Sequence, residues 1–365
     1  MKSYQLQPTK HPQLYRVVDR DKNWEHYAFI KKFAANYDPE KGWPRFEDVE
    51  EVVWLRGSTT ILGIGYAKDK FFQEWLLSKT RDERDQILRA AGYRGDMVHR
   101  IIDQALTLDH KPGELVVFER DLEVHSRETG EERQLTNSEW DCFLAWGAFW
   151  KDHQPVCLVS EAPTYNLVVG YAGTADAVLI LTRECQSKAC ACHKVIGKAG
   201  LWDWKTAGAI YPSYAPQTAS YAFSDNIHAY LPNGVKIVYT AILRIGTRHK
   251  NGGYEVDASV GPEELEYDFN RFKAAKLIAD HDYKPFDPST DVIEVPDRVV
   301  VMVEQPSSTV IAGATAAISE DRSKEPEPTP DGEPLRMMTH KAKAKQVRAA
   351  SADPKSAKKK RAQKK

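Results

Sequence analysis

An aspartate and a lysine stand two residues apart within the apolar, aromatic run 201–206 (LWDWKT). On a β-strand, alternate side chains point to the same face, so Asp203 and Lys205 would enter one site together. A carboxylate can bind a divalent cation, and an ammonium can orient an attacking water or stabilise a developing negative charge. An isolated Asp-x-Lys pair is also typical of a surface ion pair on a half-exposed strand. The residues on either side of this pair are needed to choose between these two interpretations.

Further candidate residues lie on both sides of this pair. Upstream, the segment 173–181 (GTADAVLIL) predicts a turn followed by a strand, with Asp176 near its start. Downstream, Gln217 and Tyr221 are four residues apart in a predicted helix and would share one of its faces. Earlier in the chain, His99 lies beside the apolar stripe of another predicted helix, where a histidine is usually a core or boundary residue. The motifs follow in the order Gly-x-x-Asp, Asp-x-Lys and Gln-x-x-x-Tyr.

This order of motifs resembles the RecB-like branch of the PD-(D/E)XK nuclease superfamily, which includes CRISPR-associated exonucleases and many phage-type exonucleases. The resemblance extends from about residue 50 to about residue 280, and the segment 95–99 (GDMVH) fits the histidine that the family has on an earlier helix. It implies an α/β, restriction-endonuclease-like core, with a mixed central sheet flanked by helices. We therefore expect an N-terminal segment at 1–50, a nuclease domain at 51–318 and a disordered basic C-terminal tail at 319–365.

The resemblance also implies a metal site for Mg²⁺ or Mn²⁺. Asp176 and Asp203 would supply carboxylate oxygens, which Mg²⁺ prefers, and the backbone carbonyl of Trp204 would supply another oxygen. His99 would be a nitrogen ligand, which also suits Mn²⁺. Glu161, on a predicted strand before Asp176, is either a supporting ligand or a surface carboxylate.

The implied activity is metal-dependent hydrolysis of DNA phosphodiester bonds by a deoxyribonuclease, an exonuclease that is phage-encoded and serves DNA recombination, repair or replication. In that scheme Lys205 orients the water or stabilises the transition state, while Gln217 and Tyr221 position the DNA backbone or the active-site strand. Three alternatives stay open. The fold could serve a non-catalytic or structure-specific nucleic-acid-binding module, the enzyme could be an endonuclease, or the protein could act structurally through its basic tail.

A cysteine-rich insert at 182–200 separates the two aspartates, although a hairpin would need only a few residues there. It contains Cys185, Cys190, Cys192 and His193, whose donor atoms could bind Zn²⁺ tetrahedrally. The alternative is an exposed loop with reduced thiols, because adjacent ligands such as Cys192 and His193 are hard to wrap around one ion. CRISPR-associated relatives hold an iron–sulfur cluster with three late cysteines, and no cysteine follows Cys192, so we do not expect that cluster.

The pattern of apolar residues predicts the elements that position these groups. We expect helices over 71–88, 96–108 and 262–280, and strands over 156–161, 166–172 and 235–245. Residues 1–50 are polar with scattered aromatics, which predicts a loosely packed segment. An aromatic helix from residue 137 is more typical of a core element than of a platform on which bases stack.

Composition limits the class of protein. The chain has 365 residues, of which 42% are hydrophobic, enough for a sizeable core. It has no run of about 18 apolar residues and no apolar N-terminal stretch, so we expect no membrane contact and a cytoplasmic location, in the host cell if the gene is from a phage. Five cysteines do not suggest a secreted disulfide framework.

The net charge of −1 hides a strong asymmetry. Residues 341–365 contain eleven Lys or Arg and one acid, a net charge of +10, so the remainder of the chain carries −11. A block of like charge with few apolar residues predicts disorder and contact with nucleic acid, or alternatively a solubilising tail. We expect DNA as the partner, together with recombination or replication proteins, and the sequence leaves the oligomeric state open.

Overall fold

The computed structural model describes residues 5–18, 25–67, 70–108, 117–126, 130, 132–188, 190–246 and 253–283. The chain divides into two units, Met1–Glu294 and Val295–Lys365, and every described residue belongs to the first. The predicted tail at 319–365 lies outside the described residues. None of the described helices combines the length and the apolar character needed to cross a membrane.

Within the described residues, nine strands form one mixed sheet and two further strands form a separate hairpin. In chain order the strands are β1 (Gln5–Pro8), β2 (Leu14–Val18), β3 (His26–Phe33), β4 (Val49–Gly57), β5 (Glu123–His125), β6 (Glu132–Gln134), β7 (Val156–Asn166), β8 (Tyr171–Ile180), β9 (Ala199–Lys205), β10 (Tyr239–Ile245) and β11 (Tyr254–Val260). The order across the sheet is β1-β2-β3-β4-β8-β9-β10-β11, with β7 also paired to β8 and β5–β6 forming the hairpin. Strand β8 runs parallel to β4 and antiparallel to β7 and β9, whereas β9 and β10 are parallel. The expected mixed sheet is confirmed.

The N-terminal strands are part of this sheet. The predicted boundary after residue 50 falls inside β4, and β1, β2 and β3 extend the sheet beyond it. The described part of residues 1–50 is therefore built into the sheet, contrary to the expectation of a loosely packed segment. A physical reason is that β4 would otherwise present unpaired N–H and C=O groups at an open edge.

Helices cover the sheet, and two of them begin at a clear capping signal. Thr80 caps α3 (Arg81–Thr107) and exchanges hydrogen bonds with Glu83, and Thr136 and Glu139 do the same for α4 (Asn137–His153). The cap at Thr80 divides the helix predicted over 71–88, and the second part continues without a break through the helix predicted over 96–108. The helices are α1 (Ser58–Gly65), α2 (Lys70–Leu77), α3 (Arg81–Thr107), α4 (Asn137–His153), α5 (Tyr214–Ala222) and α6 (Pro262–Asp282), with short 3-10 turns at Pro39–Lys41, Phe46–Asp48, Ala191–Lys194 and Ile227–Tyr230.

Side chains that alternate along β8 and β9 divide between two layers of core. Leu179 and Trp202 pack with α3 and α4 in the largest apolar cluster. Val178 and Leu201 belong to the cluster on the other face, together with Tyr221 of α5. Helices α1, α5 and α6 also pack against one another. The period of two therefore places every second residue of these strands on the side of α5.

The aromatic helix is a core element, as predicted. Phe143, Trp146 and Phe149 of α4 are buried, and the rings of Phe143 and Trp146 stack with their centres 5.5 Å apart. Their burial beneath the sheet excludes a stacking platform for bases at these three positions. The helix instead supports β9, since the Phe149 ring lies 5.2 Å from that of Trp202.

The bounds of all three predicted strands differ from the structure. The strand expected over 156–161 continues to Asn166 in β7. The strand expected over 166–172 spans the turn between β7 and β8, where the Asn166 side chain accepts a hydrogen bond from the Val169 amide and Gly170 adopts a positive φ of 84°. Asp176 consequently lies in the middle of β8 and not at its start. The strand expected over 235–245 begins only at Tyr239.

Candidate active site

Three acidic side chains form a row across neighbouring strands. Glu161 and Asp176 lie between the β7–β8 pairs Ser160–Ala177 and Ala162–Ala175. On the other side of β8, Asp176 and Asp203 directly adjoin the β8–β9 pair Ala177–Trp202. All three are at most 6% exposed. We call Glu161, Asp176 and Asp203 the acidic row. Asp176 and Asp203 therefore lie on adjacent strands of the sheet, β8 and β9.

The alternation along β9 separates the acid and the lysine from the two tryptophans. Trp202 and Trp204 are fully buried in the cluster under α3 and α4. Asp203 and Lys205 occupy the intervening positions and line a cleft on the other side. The aromatic residues anchor the strand, so its two charged side chains have a fixed direction.

His99 joins the acidic row from α3. Its Nδ1 atom is 3.2 Å from Asp176 Oδ1, and its Nε2 atom donates to the Trp204 carbonyl at 3.0 Å. The other oxygen of Asp176 accepts a hydrogen bond from the Trp204 amide at 2.7 Å. Burial opposes a charge on the imidazole, but the carboxylates of Asp176 and Glu161 raise the pKa of His99 to about 9. Two predicted metal ligands, His99 and the Trp204 carbonyl, are thus hydrogen bonded to each other.

Asp203 is the carboxylate of the row that has a buried oxygen atom without a hydrogen-bond partner among the described residues. Its Oδ2 atom is 2.6 Å from the Lys205 ammonium, yet within the described residues it has no hydrogen bond of acceptable geometry. We interpret this contact as an ion pair with a poorly aligned donor. Burial, and to a smaller extent the charge of Asp176, raise the pKa of Asp203 to about 6 even though Lys205 opposes the shift. A cation would compensate the cost of keeping this group ionised.

Gln217 and Tyr221 lie beside the row on α5. The Gln217 amide donates a hydrogen bond to the Tyr221 hydroxyl at 3.0 Å, and both side chains line the cleft. The Tyr221 ring also explains the glycine of the Gly-x-x-Asp motif, because a Cβ atom on Gly173 would lie 2.6 Å from that ring. A larger residue at this position would push Tyr221 away from the sheet.

Glu161 has an unusual backbone conformation for a strand residue. Its φ angle is +51°, which residues other than glycine rarely adopt. Strained residues of this kind are concentrated at functional sites, where the surrounding structure holds them in place. The position of Glu161 beside Asp176 favours the supporting-ligand interpretation over that of a surface carboxylate.

The donor atoms present suit a hard divalent cation. Ligand atoms of His99, Glu161 and Asp176 lie within 4.8 Å of one another. Two carboxylates and an imidazole match the preferences of Mg²⁺ and Mn²⁺, and the buried Oδ2 atom of Asp203 is a further oxygen on the neighbouring strand. The residues therefore fit such an ion on the basis of their chemistry.

The acidic row opens into a cleft of about 610 Å³ whose other walls include residues that the sequence did not single out. Lys10 follows β1, Arg16 is on β2 and Arg100 is on α3, and all three line this cleft. Lys10 Nζ also donates to the carbonyl of Ser160 at 3.1 Å, which ties the N-terminal hairpin to β7. No local pattern marks these three residues, because they meet only through the order of strands in the sheet.

The predicted zinc ligands are brought together only in part. Donor atoms of three cysteines lie within 4.8 Å of one another and of a histidine, but that histidine is His153 at the end of α4. His193 is turned elsewhere, with its Nε2 atom 2.8 Å from the Ser187 carbonyl and its Nδ1 atom 3.1 Å from Glu184. The side chains of adjacent residues in a 3-10 turn point in different directions. The His193 side chain therefore does not reach the cluster that the Cys192 side chain joins. We call the observed group the cysteine cluster; it consists of Cys185, Cys190, Cys192 and His153.

A comparison of the chain with protein-family models finds no match, and neither does a search of curated proteins. The resemblance to PD-(D/E)XK nucleases therefore depends on the sequence motifs of this chain. Of the predicted residues, His99, Glu161, Asp176, Asp203, Lys205, Gln217 and Tyr221 all line one cleft.

Proposed function

We propose that the protein is a metal-dependent deoxyribonuclease of the PD-(D/E)XK type, acting as an exonuclease in phage DNA recombination, repair or replication. The observation that carries this proposal is the acidic row on three adjacent strands, with Lys205 beside it in the same cleft. The mixed sheet flanked by helices is compatible with the restriction-endonuclease-like core that the motifs imply.

The acidic row and His99 would hold Mg²⁺ or Mn²⁺. A bound cation of this kind neutralises phosphate oxygens and makes water a better nucleophile at neutral pH. Asp176 is well prepared for this role, because the Trp204 amide and His99 fix both of its oxygens. Asp203 contributes a buried oxygen without a well-aligned donor.

Among the described residues that line the cleft, Lys205 is best placed to act on the reacting phosphate. Its ammonium pairs with Asp203 at 2.6 Å and lies 4.9 Å from the centre of the Tyr214 ring, so two neighbours restrict its position. A fixed positive charge next to the metal carboxylates can orient water and stabilise negative charge that develops in the transition state. Preorganisation of this kind matters because the charge is already in place before the reaction starts.

Basic side chains in the cleft support a phosphodiester substrate once a bound cation balances its acids, because the lining also contains Glu25 and Asp96 besides the acidic row. Arg16 and Arg100 add positive groups to a cleft that already contains Lys10 and Lys205. Such groups attract the phosphates of a nucleic acid and release its counterions. Gln217, held by Tyr221, would contact the DNA backbone through the part of its amide that remains available.

The test is the degradation of end-labelled linear DNA by the full chain in the presence of Mg²⁺ or Mn²⁺. We expect metal-dependent degradation by the wild type and none by Asp203→Ala. The matched control is Asp257→Ala, which removes an exposed acid from β11 of the same sheet and should leave the rate unchanged.

Covalently closed circular DNA of the same sequence separates the remaining alternatives. An exonuclease needs an end and should leave the circle intact, whereas an endonuclease would cut it. Wild-type protein that binds linear DNA but does not degrade it with either metal would contradict the proposal and favour the non-catalytic binding module.

A further inference from the structure

We propose that the connection between β8 and β9 contains a structural zinc site. Its ligands are the four members of the cysteine cluster, three thiolates and one imidazole. The inference does not depend on the proposed nuclease activity, since the cluster lies outside the cleft that contains the acidic row. A Cys₃His set is one of the common ligand combinations of structural zinc sites.

The spacing of the sulfur atoms fits a shared ion better than a disulfide. The Sγ atoms of Cys185 and Cys192 are 3.6 Å apart. Two thiolates of a tetrahedral site with Zn–S bonds of about 2.3 Å are separated by roughly 3.8 Å. A disulfide would bring the two atoms to about 2.05 Å. All five cysteines of the chain are free thiols in this structure.

The hydrogen bonds of His153 leave one ring nitrogen available for a metal. Nδ1 lies 3.1 Å from the Arg183 carbonyl, which can only accept, so Nδ1 carries the proton. Nε2 faces the Tyr254 hydroxyl at 3.3 Å, but that hydroxyl donates its hydrogen to Asp152 at 2.7 Å. In the neutral ring, Nε2 then has a lone pair, and the side chain of Cys192, itself a member of the cluster, interacts with the ring. A metal-bound histidine commonly has this arrangement, in which a carbonyl fixes the tautomer from the second nitrogen.

The cluster is largely enclosed by protein, with two of its four members fully buried and the other two less so. His153 and Cys192 are fully buried, and Cys192 belongs to the main apolar core together with Leu181 and Val195 of the same connection. Four protein ligands complete a tetrahedral site and leave no open position for water or a substrate, which is the property of a structural and not of a catalytic zinc site.

The ion would tie the end of α4 to the connection that joins the two aspartate-bearing strands. Without such a tie, residues 181–198 form a long connection, and the only helical element among its described residues is the 3-10 turn Ala191–Lys194. Zinc binding would release the thiol protons and replace them with metal–sulfur bonds. The bound ion would therefore fix the path of the β8–β9 connection, at a place where two antiparallel strands could be joined by a tight hairpin.

The test measures the zinc content of the full chain, expressed with added Zn²⁺, purified under reducing conditions without chelator, and analysed by mass spectrometry of the metal. We expect about one equivalent per chain, falling to less than about a tenth in Cys192→Ser and in His153→Gln. The matched controls are Cys157→Ser and His193→Gln, which change a cysteine and a histidine outside the cluster and should retain the metal.

Substitution with Co²⁺ tests the ligands in the wild-type protein, so the result does not depend on the folding of the variants. We expect a sulfur-to-cobalt charge-transfer band in the near ultraviolet and intense visible bands of tetrahedral Co²⁺. Reduced wild-type chain with neither zinc nor these bands would overturn the proposal, as would a disulfide between Cys185 and Cys192 under the same conditions. Zinc lost in His193→Gln but retained in His153→Gln would overturn the ligand assignment.

Discussion

The acidic row and the cysteine cluster both involve β8 and β9 or the segment that connects them, but they differ in ligand chemistry and in exposure. The acidic row offers carboxylate oxygens from β7, β8 and β9, and it opens into a cleft of about 610 Å³. The cysteine cluster offers sulfur and imidazole donors from the end of α4 and from the β8–β9 connection, and its members are mostly enclosed. Oxygen donors suit Mg²⁺ and Mn²⁺, whereas thiolates suit Zn²⁺.

The two sites differ in what a bound metal would do, which is catalysis at the acidic row and stabilisation of the fold at the cysteine cluster. A site for chemistry must admit a substrate, and it tolerates unsatisfied groups such as the buried Oδ2 atom of Asp203. A site for stability should satisfy its ligands internally, as His153 does through the Arg183 carbonyl. We therefore expect substitutions at the acidic row to affect the cleavage rate and substitutions at the cysteine cluster to affect the free energy of unfolding.

The largest expected effect is that of Lys205→Ala on cleavage. Loss of its charge beside Asp203 should slow single-turnover DNA cleavage by about two orders of magnitude, equivalent to about 3 kcal/mol of transition-state stabilisation. DNA affinity, measured with Ca²⁺ in place of Mg²⁺, and zinc content should both be retained. Lys198→Ala is the matched control, because Lys198 is exposed just before β9. A near-normal rate in Lys205→Ala would remove the assigned role.

Cys192→Ser should have the opposite profile. We expect loss of zinc and a decrease in the free energy of unfolding on the order of 3 kcal/mol, measured by denaturant titration under reducing conditions. The cleavage rate of the folded fraction should fall by less than about tenfold, because none of the four ligands lines the cleft. Cys157→Ser should keep both zinc and most of the stability. A hundredfold loss of cleavage with unchanged stability would break the distinction between the two sites.

When no Mg²⁺ or Mn²⁺ is present, the pairing of His99 with the acidic row should make the free energy of unfolding depend on pH. The pKa of His99 is raised from 6.5 to about 9, so the native state holds its proton over a range where the unfolded state has lost it. The resulting stabilisation is complete below pH 6.5 and is lost as the pH rises through about 9. Between those limits the unfolding free energy of the wild type should fall by about 2 kcal/mol more than that of His99→Gln.

Saturating Mn²⁺ provides the control for this pH effect. The cation competes with the proton at His99, so the difference between the wild type and His99→Gln should become flat with respect to pH. Zinc content should stay constant over the same range. Parallel pH profiles of the two proteins without Mn²⁺ would contradict the proposed pairing of His99 with Asp176.

The smallest expected effect is that of Gly173→Ala. The new methyl group would overlap the Tyr221 ring, which should destabilise the protein by about 1–2 kcal/mol and displace Gln217 from the cleft. Gly147→Ala is the matched control, since nothing lies within 4 Å of a Cβ there and alanine is the better helix former in α4. Equal or greater stability of Gly173→Ala would show that Tyr221 can move without cost.

Much of the acidic row could be predicted from the sequence, because strand geometry has a period of two. That period alone separates Asp203 and Lys205 from Trp202 and Trp204. The helical period likewise places Gln217 and Tyr221 on one face of α5. Local signals also mark where α3 and α4 begin, since a capping box needs only residues three positions apart.

The tertiary structure decided everything that depends on pairing between distant segments. The register of β7 against β8 places Glu161 beside Asp176, and the order of strands brings Lys10 and Arg16 to the cleft. The path of the β8–β9 connection brings His153, and not His193, to the three cysteines. The physical reason is that contact between residues far apart in the chain follows from the packing of whole elements, which local spacing does not encode.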